Sequence, residues 1–150
     1  MQGTASLSPG LSTTAQAFSY SFTGSLGNCH ATTSGAPASG TVFAGTNGLP
    51  AATGNGSCAS STTSGIAVVQ WSDGTTTVIQ YTTRGALAGV DLQGSVISSV
   101  TSSTGTTYTT TRYAGDTSAG QLVFQPPSPT SCTTGVTTAA ISGAVELGSA

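Results

Sequence analysis

The sequence predicts an all-β domain of about eight antiparallel strands, arranged as a barrel-like meander or a β-sandwich. Three observations carry this prediction. Apolar and hydroxyl residues alternate with period two in several separate stretches. No window places apolar residues at i, i+3, i+4 and i+7 with helix formers between them. Clusters of Gly, Ser, Asn and Pro interrupt the alternation at the intervals expected of turns.

Residues 1–15 read as a flexible N-terminal segment and 16–150 as a single β domain. The first predicted strand sets Phe18, Tyr20, Phe22 and Leu26 on one face against Ser19, Ser21, Thr23 and Ser25 on the other. A short strand follows at 38–44, and the Gly- and Asn-rich stretch 45–62 reads as a long loop. Strands at 64–72 and 75–83 flank Trp71-Ser72-Asp73-Gly74. Asp-Gly is a strong hairpin signal, because Gly supplies a positive φ and Asp caps the turn locally. Trp71 shares its face with Ala67 and Val69, so it is expected to anchor a sheet face. Val90, Leu92, Val96 and Val100 alternate against Asp91, Gln93 and Ser95, and further strands are expected at 106–113 and 119–125. Pro126-Pro127-Ser128-Pro129 reads as a loop, since proline removes ladder donors. The last strand alternates Ala139, Ile141, Val145 and Leu147 against Ala140, Ser142, Ala144 and Glu146.

Charge is nearly absent. Charged residues are 4% of the 150 residues, against roughly 25% in an ordinary soluble domain. There is no lysine, and the charged set is Arg84, Arg112, Asp73, Asp91, Asp116 and Glu146, with His30 the single imidazole. Two arginines and a net charge of −2 exclude nucleic acid as a partner, because a phosphate backbone needs several cations to release its counterions. An anionic membrane surface is excluded on the same ground. No apolar run approaches the ~20 residues of a membrane span. Thr, Ser and Gly replace the missing charge. Hydrophobic residues at 36% and their periodicity separate the chain from disordered low-complexity sequences. Its solvent face is therefore expected to be hydroxyl rather than ionic.

Three cysteines, Cys29, Cys58 and Cys132, suit one disulfide and one free thiol in an exported protein. If the first strand ends at Cys29 and the eighth begins near Cys132, closing the sheet brings those ends together. Cys29–Cys132 is thus the expected bridge, with Cys29–Cys58 the alternative. The spacings lack the paired Cys-x-x-Cys of a zinc site, so no metal or other cofactor is expected. The order Cys58, Trp71, Cys132 resembles an immunoglobulin pattern only in spacing. Cys58 lies in a glycine-rich loop, and Thr130 stands where that fold places a tyrosine.

Several short motifs stand out along the chain: Gly3-Thr-Ala-Ser-Leu-Ser-Pro-Gly-Leu11, Phe22-Thr-Gly-Ser-Leu-Gly-Asn-Cys29, Val69-Gln-Trp-Ser-Asp-Gly-Thr75, Tyr113-Ala-Gly-Asp116, Cys132 and Ile141-Ser-Gly-Ala-Val145. Together they resemble a family of small exported actinobacterial all-β proteins of the Streptomyces type. The resemblance spans nearly the whole chain and implies secretion after removal of a signal peptide. It carries no catalytic residues. The N-terminal residues themselves, Met-Gln-Gly-Thr-Ala, show no basic or apolar leader.

Candidate chemistry is sparse. Cys29-His30 is the only adjacent nucleophile and base, and neighbours in extended chain face opposite ways. No Gly-x-Ser-x-Gly elbow exists. Asp73, Asp91, Asp116 and Glu146 supply enough carboxylates for glycoside hydrolysis, but most read as turn or solvent-face residues. The expectation is therefore a secreted, non-enzymatic structural or interaction module, such as an adaptor subunit of an extracellular assembly. Its partner is expected to be a protein recognised by strand addition, docked through residues 3–15, or a glycan. A carbohydrate or small-ligand module is the alternative, and a hydrolase using acidic residues a remote one. Trp71, Asp73 and Tyr81 are the residues expected to contact a ligand or partner.

Overall fold

A computed structural model of the chain describes residues 1–86 and 88–148; positions 149 and 150 of the predicted β domain lie outside them. The elements are β1 (Gln2–Leu11), β2 (Gln16–Leu26), β3 (Gly40–Ala44), β4 (Ala52–Gly56), β5 (Ser60–Trp71) and β6 (Thr76–Ala86). They continue with β7 (Gly89–Ile97), β8 (Ser99–Thr101), β9 (Thr107–Thr109), β10 (Thr117–Gln125), the single turn α1 (Ser131–Thr134) and β11 (Val136–Gly148). The all-β prediction holds, and between barrel and sandwich the structure is a closed barrel.

All pairings are antiparallel, and β1 bonds to both β2 and β11, which closes the sheet. β3 and β4 share one position in the wall. β3 pairs with the end of β2 and the end of β5, and β4 pairs with their beginnings. The barrel therefore has eight staves in up-and-down order. β8 and β9 form a separate hairpin that covers an outer apolar patch of Phe43, Val68 and Val78 with Val100 and Tyr108.

Alternation then decides what faces inward. Ala67, Val69 and Trp71 of β5, Ile79 and Tyr81 of β6, and Val42 and Ala44 of β3 form one inner cluster. Ala5, Leu7, Leu11, Phe18, Val136 and Ala139 form another. Outward positions such as Gln70, Gln80, Thr82, Gln93 and Gln121 are exposed. This apolar-in, polar-out wall is the reverse of the apolar outer band that a barrel carries in lipid. Among the described residues, no helix is long and apolar enough to cross a membrane.

Three expectations are corrected. Residues 1–15 are not a free segment, because Gln2–Leu11 is the stave that closes the barrel, paired on both sides. Its alternation is short and broken by Gly3, Pro9 and Gly10, so its propensity is weak; two neighbours supply the order. Closure also leaves the barrel without an open edge for strand addition. The stretch 45–62 is not one loop, since it contains β4 and the start of β5. Glycine suits β4 because the Phe18 ring lies directly over Gly54, where an added Cβ would come within 2.5 Å of Phe18 Cζ.

The third correction concerns the disulfide, which joins Cys58 to Cys132 and leaves Cys29 free. The extra stave β1 explains it. With β1 between them, β2 and β11 run in the same direction, so Cys29 after β2 and Cys132 before β11 lie at opposite ends of the barrel.

Candidate functional site

The lumen of the barrel is a large concavity, with a volume of about 1130 Å³. Its wall is mostly aliphatic and aromatic, yet Phe22, Leu92, Phe124 and Ile141 stay only half-buried although they point inward. A side-chain-filled barrel would bury them, since protein interiors otherwise close to crystal-like density. An eight-stave barrel is just wide enough for its own side chains or for one small ligand.

One polar cluster sits on the lumen wall. The Tyr81 and Tyr20 hydroxyls are 2.7 Å apart, Tyr20 and Thr63 are 3.0 Å apart, and Thr63 and Thr83 are 2.5 Å apart. The four residues come from β6, β2 and β5, and all line the cavity. Burial pushes both phenols above the ordinary tyrosine value. Hydrogen bonds to Thr63 and Tyr81 oppose this at Tyr20, and the neighbouring Tyr20 adds to it at Tyr81. Both hydroxyls are therefore neutral near pH 7 and serve as hydrogen-bonding groups, not as bases.

The two barrel ends differ. At the end where β1 turns into β2, Leu11, Phe18 and Val136 pack beneath the Cys58–Cys132 bridge. Cys58 N–H also donates to the Ser12 carbonyl at 2.8 Å. This end is a stapled floor. At the other end, residues 27–39 lead from β2 to β3 beside the mouth. Arg112 Nη2 donates to the Gly35 carbonyl at 2.8 Å and pairs with Asp73 at 3.2 Å. Tyr113 has φ +65, a conformation that side chains adopt at a cost. Its ring meets Trp71 edge-on at 5.5 Å, beneath the Arg112 guanidinium.

The residues singled out from sequence separate accordingly. Trp71 and Tyr81 both face the lumen. Trp71 is only 8% exposed, and its Nε1–H donates to Thr77 Oγ1 at 2.8 Å, which in turn donates to the Arg112 carbonyl. Trp71 is thus not an open platform on the outer surface. Asp73 sits outside the lumen in the β5–β6 turn, where Gly74 has φ +85 as the hairpin reading requires. Asp73 accepts from the Thr75 hydroxyl and N–H; these bonds first, and then Arg112, hold its carboxyl below the usual range. Cys29 lies at the mouth and Cys132 at the floor. Among the described residues, no three of His, Cys, Asp and Glu converge as metal ligands would.

Tyr20, Thr63, Thr83 and Tyr113 were not singled out from the sequence. For the first three the signal was available. Thr63 is in phase with Trp71 along β5, Thr83 with Tyr81 along β6, and Tyr20 with Phe18 and Phe22. Tyr113 joins through a turn of left-handed backbone that alternation does not reveal.

No family model matches the chain, and no curated protein or solved structure matches it either.

Proposed function

We propose that the protein is a secreted, non-enzymatic binding protein that takes one small, largely apolar molecule into its lumen. The observation that carries this reading is the unfilled apolar interior of about 1130 Å³, just above the roughly 300–1,000 Å³ usual for small-molecule sites. A largely apolar wall with a few convergent hydroxyls is the composition such sites have. The lumen hydroxyls are poor acids and bases at neutral pH, which favours binding over catalysis. Secretion is supported by the disulfide, by the scarcity of charge and by the resemblance to exported actinobacterial proteins. An adaptor docked through residues 3–15 has lost its support, because most of that segment is built into the barrel as β1.

The test is a titration with N-phenyl-1-naphthylamine, a neutral apolar fluorophore. Saturable binding of one probe per chain is expected, together with its loss in Leu92→Trp, which fills the lumen from β7. Thermal unfolding of the variant checks that the barrel persists. Absence of saturable binding, or equal binding by a folded Leu92→Trp, overturns the proposal.

A further inference from the structure

Taking the lumen as a binding site, we propose that its occupant is an uncharged, hydrocarbon-bodied molecule bearing a carbonyl oxygen, held by the end of the hydroxyl chain at Thr83. The first support is a proton count. Tyr81, Tyr20, Thr63 and Thr83 bring four O–H groups, and three contacts join them in a line. Each contact uses one proton, so one is left over, and no backbone carbonyl accepts from any of the four among the described residues. All four hydroxyls line the cavity, so the spare proton is offered to whatever fills it.

Chemistry gives the chain a direction. A phenol is the more acidic donor and the poorer acceptor, whereas a threonine hydroxyl offers two lone pairs. The favoured order therefore runs from Tyr81 to Tyr20 to Thr63 to Thr83, which leaves the free proton on Thr83 Oγ1. A carbonyl oxygen can accept it without needing any acceptor from the protein in return.

Charge decides the rest of the occupant. Arg112, Asp116, Glu146 and the Met1 ammonium, the charged groups lining the cavity, all belong to the mouth end, and the ammonium already donates to the Gly143 carbonyl at 2.7 Å. Arg112 is already engaged by Asp73 and by the Gly35 carbonyl. A carboxylate seated at the hydroxyl chain would be buried without a counter-charge, and one at the mouth would have to compete with Asp73. A neutral carbonyl meets neither penalty.

The test is competition against bound N-phenyl-1-naphthylamine by three long-chain probes of equal length: a methyl ketone, an alkane and a fatty-acid carboxylate at pH 8. The ketone is expected to displace the probe at roughly threefold to tenfold lower concentration than the alkane, the yield of one buried neutral hydrogen bond. The carboxylate is expected to be weaker than the ketone by more than about tenfold. Thr83→Val should bring ketone and alkane to parity while alkane binding persists, because the spare proton then sits on Thr63, one hydroxyl further back. Tyr81→Phe should keep the ketone preference. Binding of all three probes without a ketone preference, a carboxylate as tight as the ketone, or loss of preference in Tyr81→Phe instead of Thr83→Val overturns this assignment and leaves the lumen reading standing. Failure of all three to displace bound N-phenyl-1-naphthylamine likewise overturns this assignment alone, whereas absence of saturable binding of that fluorophore overturns both.

Discussion

Removing the Cys58–Cys132 bridge by the paired change Cys58→Ser and Cys132→Ser should cost the protein a large share of its stability. The two cysteines are separated by 74 residues. Cross-linking a loop of that length removes about 15 cal/mol/K from the unfolded chain, or about 4.4 kcal/mol at room temperature. A domain of this size has about 5–15 kcal/mol in total. The native barrel already holds these residues together, since the Cys58 N–H is bonded to the Ser12 carbonyl and both side chains pack on the floor cluster. The loss therefore acts mainly through the unfolded state, and the barrel should still form. Equilibrium urea unfolding of the oxidised wild type and the double variant measures the effect. With a denaturant slope of about 1.5 kcal/mol/M, the midpoint should fall by about 3 M. Cys29→Ser should move it little, since Cys29 has no covalent partner. A difference under about 1 kcal/mol for the double variant would refute the reasoning. So would a disulfide-linked peptide containing Cys29, or an equal loss in Cys29→Ser.

Three further outcomes are expected. Thr77→Val should destabilise by about 2–3 kcal/mol, because it strands the Trp71 Nε1–H and the Arg112 carbonyl in a place where Thr77 itself is fully buried. Thermal melts and a shift in Trp71 emission read this, and Thr77→Ser should restore most of it. Gly54→Val should cost about 1–3 kcal/mol by forcing the buried Phe18 ring off β4, measured by urea unfolding. In alkali, the raised pKa values of Tyr20 and Tyr81 mean that the unfolded chain ionises first. Their contribution is fully present below about pH 10 and is lost as pH rises further, so the melting temperature should fall there. The fall should be smaller in Tyr81→Phe, and absorbance titration should show two tyrosines ionising only with unfolding.

Much of the barrel was legible because alternation is a local property. Phe18, Tyr20 and Phe22, and Ala67, Val69 and Trp71, declare an inward face before any partner strand is known. The Asp73-Gly74 turn is equally local, since it depends on one carboxylate and one positive φ. β1 and β4 escaped notice for the converse reason. Both are rich in small residues, and they are strands because two neighbours bond each of them. The missed β1 then carried through to the disulfide, because a stave paired antiparallel to both β2 and β11 makes those two run in the same direction, and the strand expected at 106–113 is no stave but part of the separate β8–β9 hairpin. The site was legible only in part. Trp71 and Tyr81 were visible as large residues on alternating faces, and Thr63 and Thr83 share their phase, but only closure shows that this face lines a lumen and brings the two threonines together with Tyr20.

The sequence by itself determined the fold class, the hairpin at Trp71–Gly74 and the scarcity of charge, all of which follow from composition and short-range periodicity. Tertiary structure decided the rest. Closure between β1 and β11 made a barrel, set Cys58 against Cys132, and brought hydroxyls from β2, β5 and β6 into one chain on the wall of an unfilled lumen. These features depend on which strands meet across long separations of chain, and therefore on pairing and closure, which no single segment encodes.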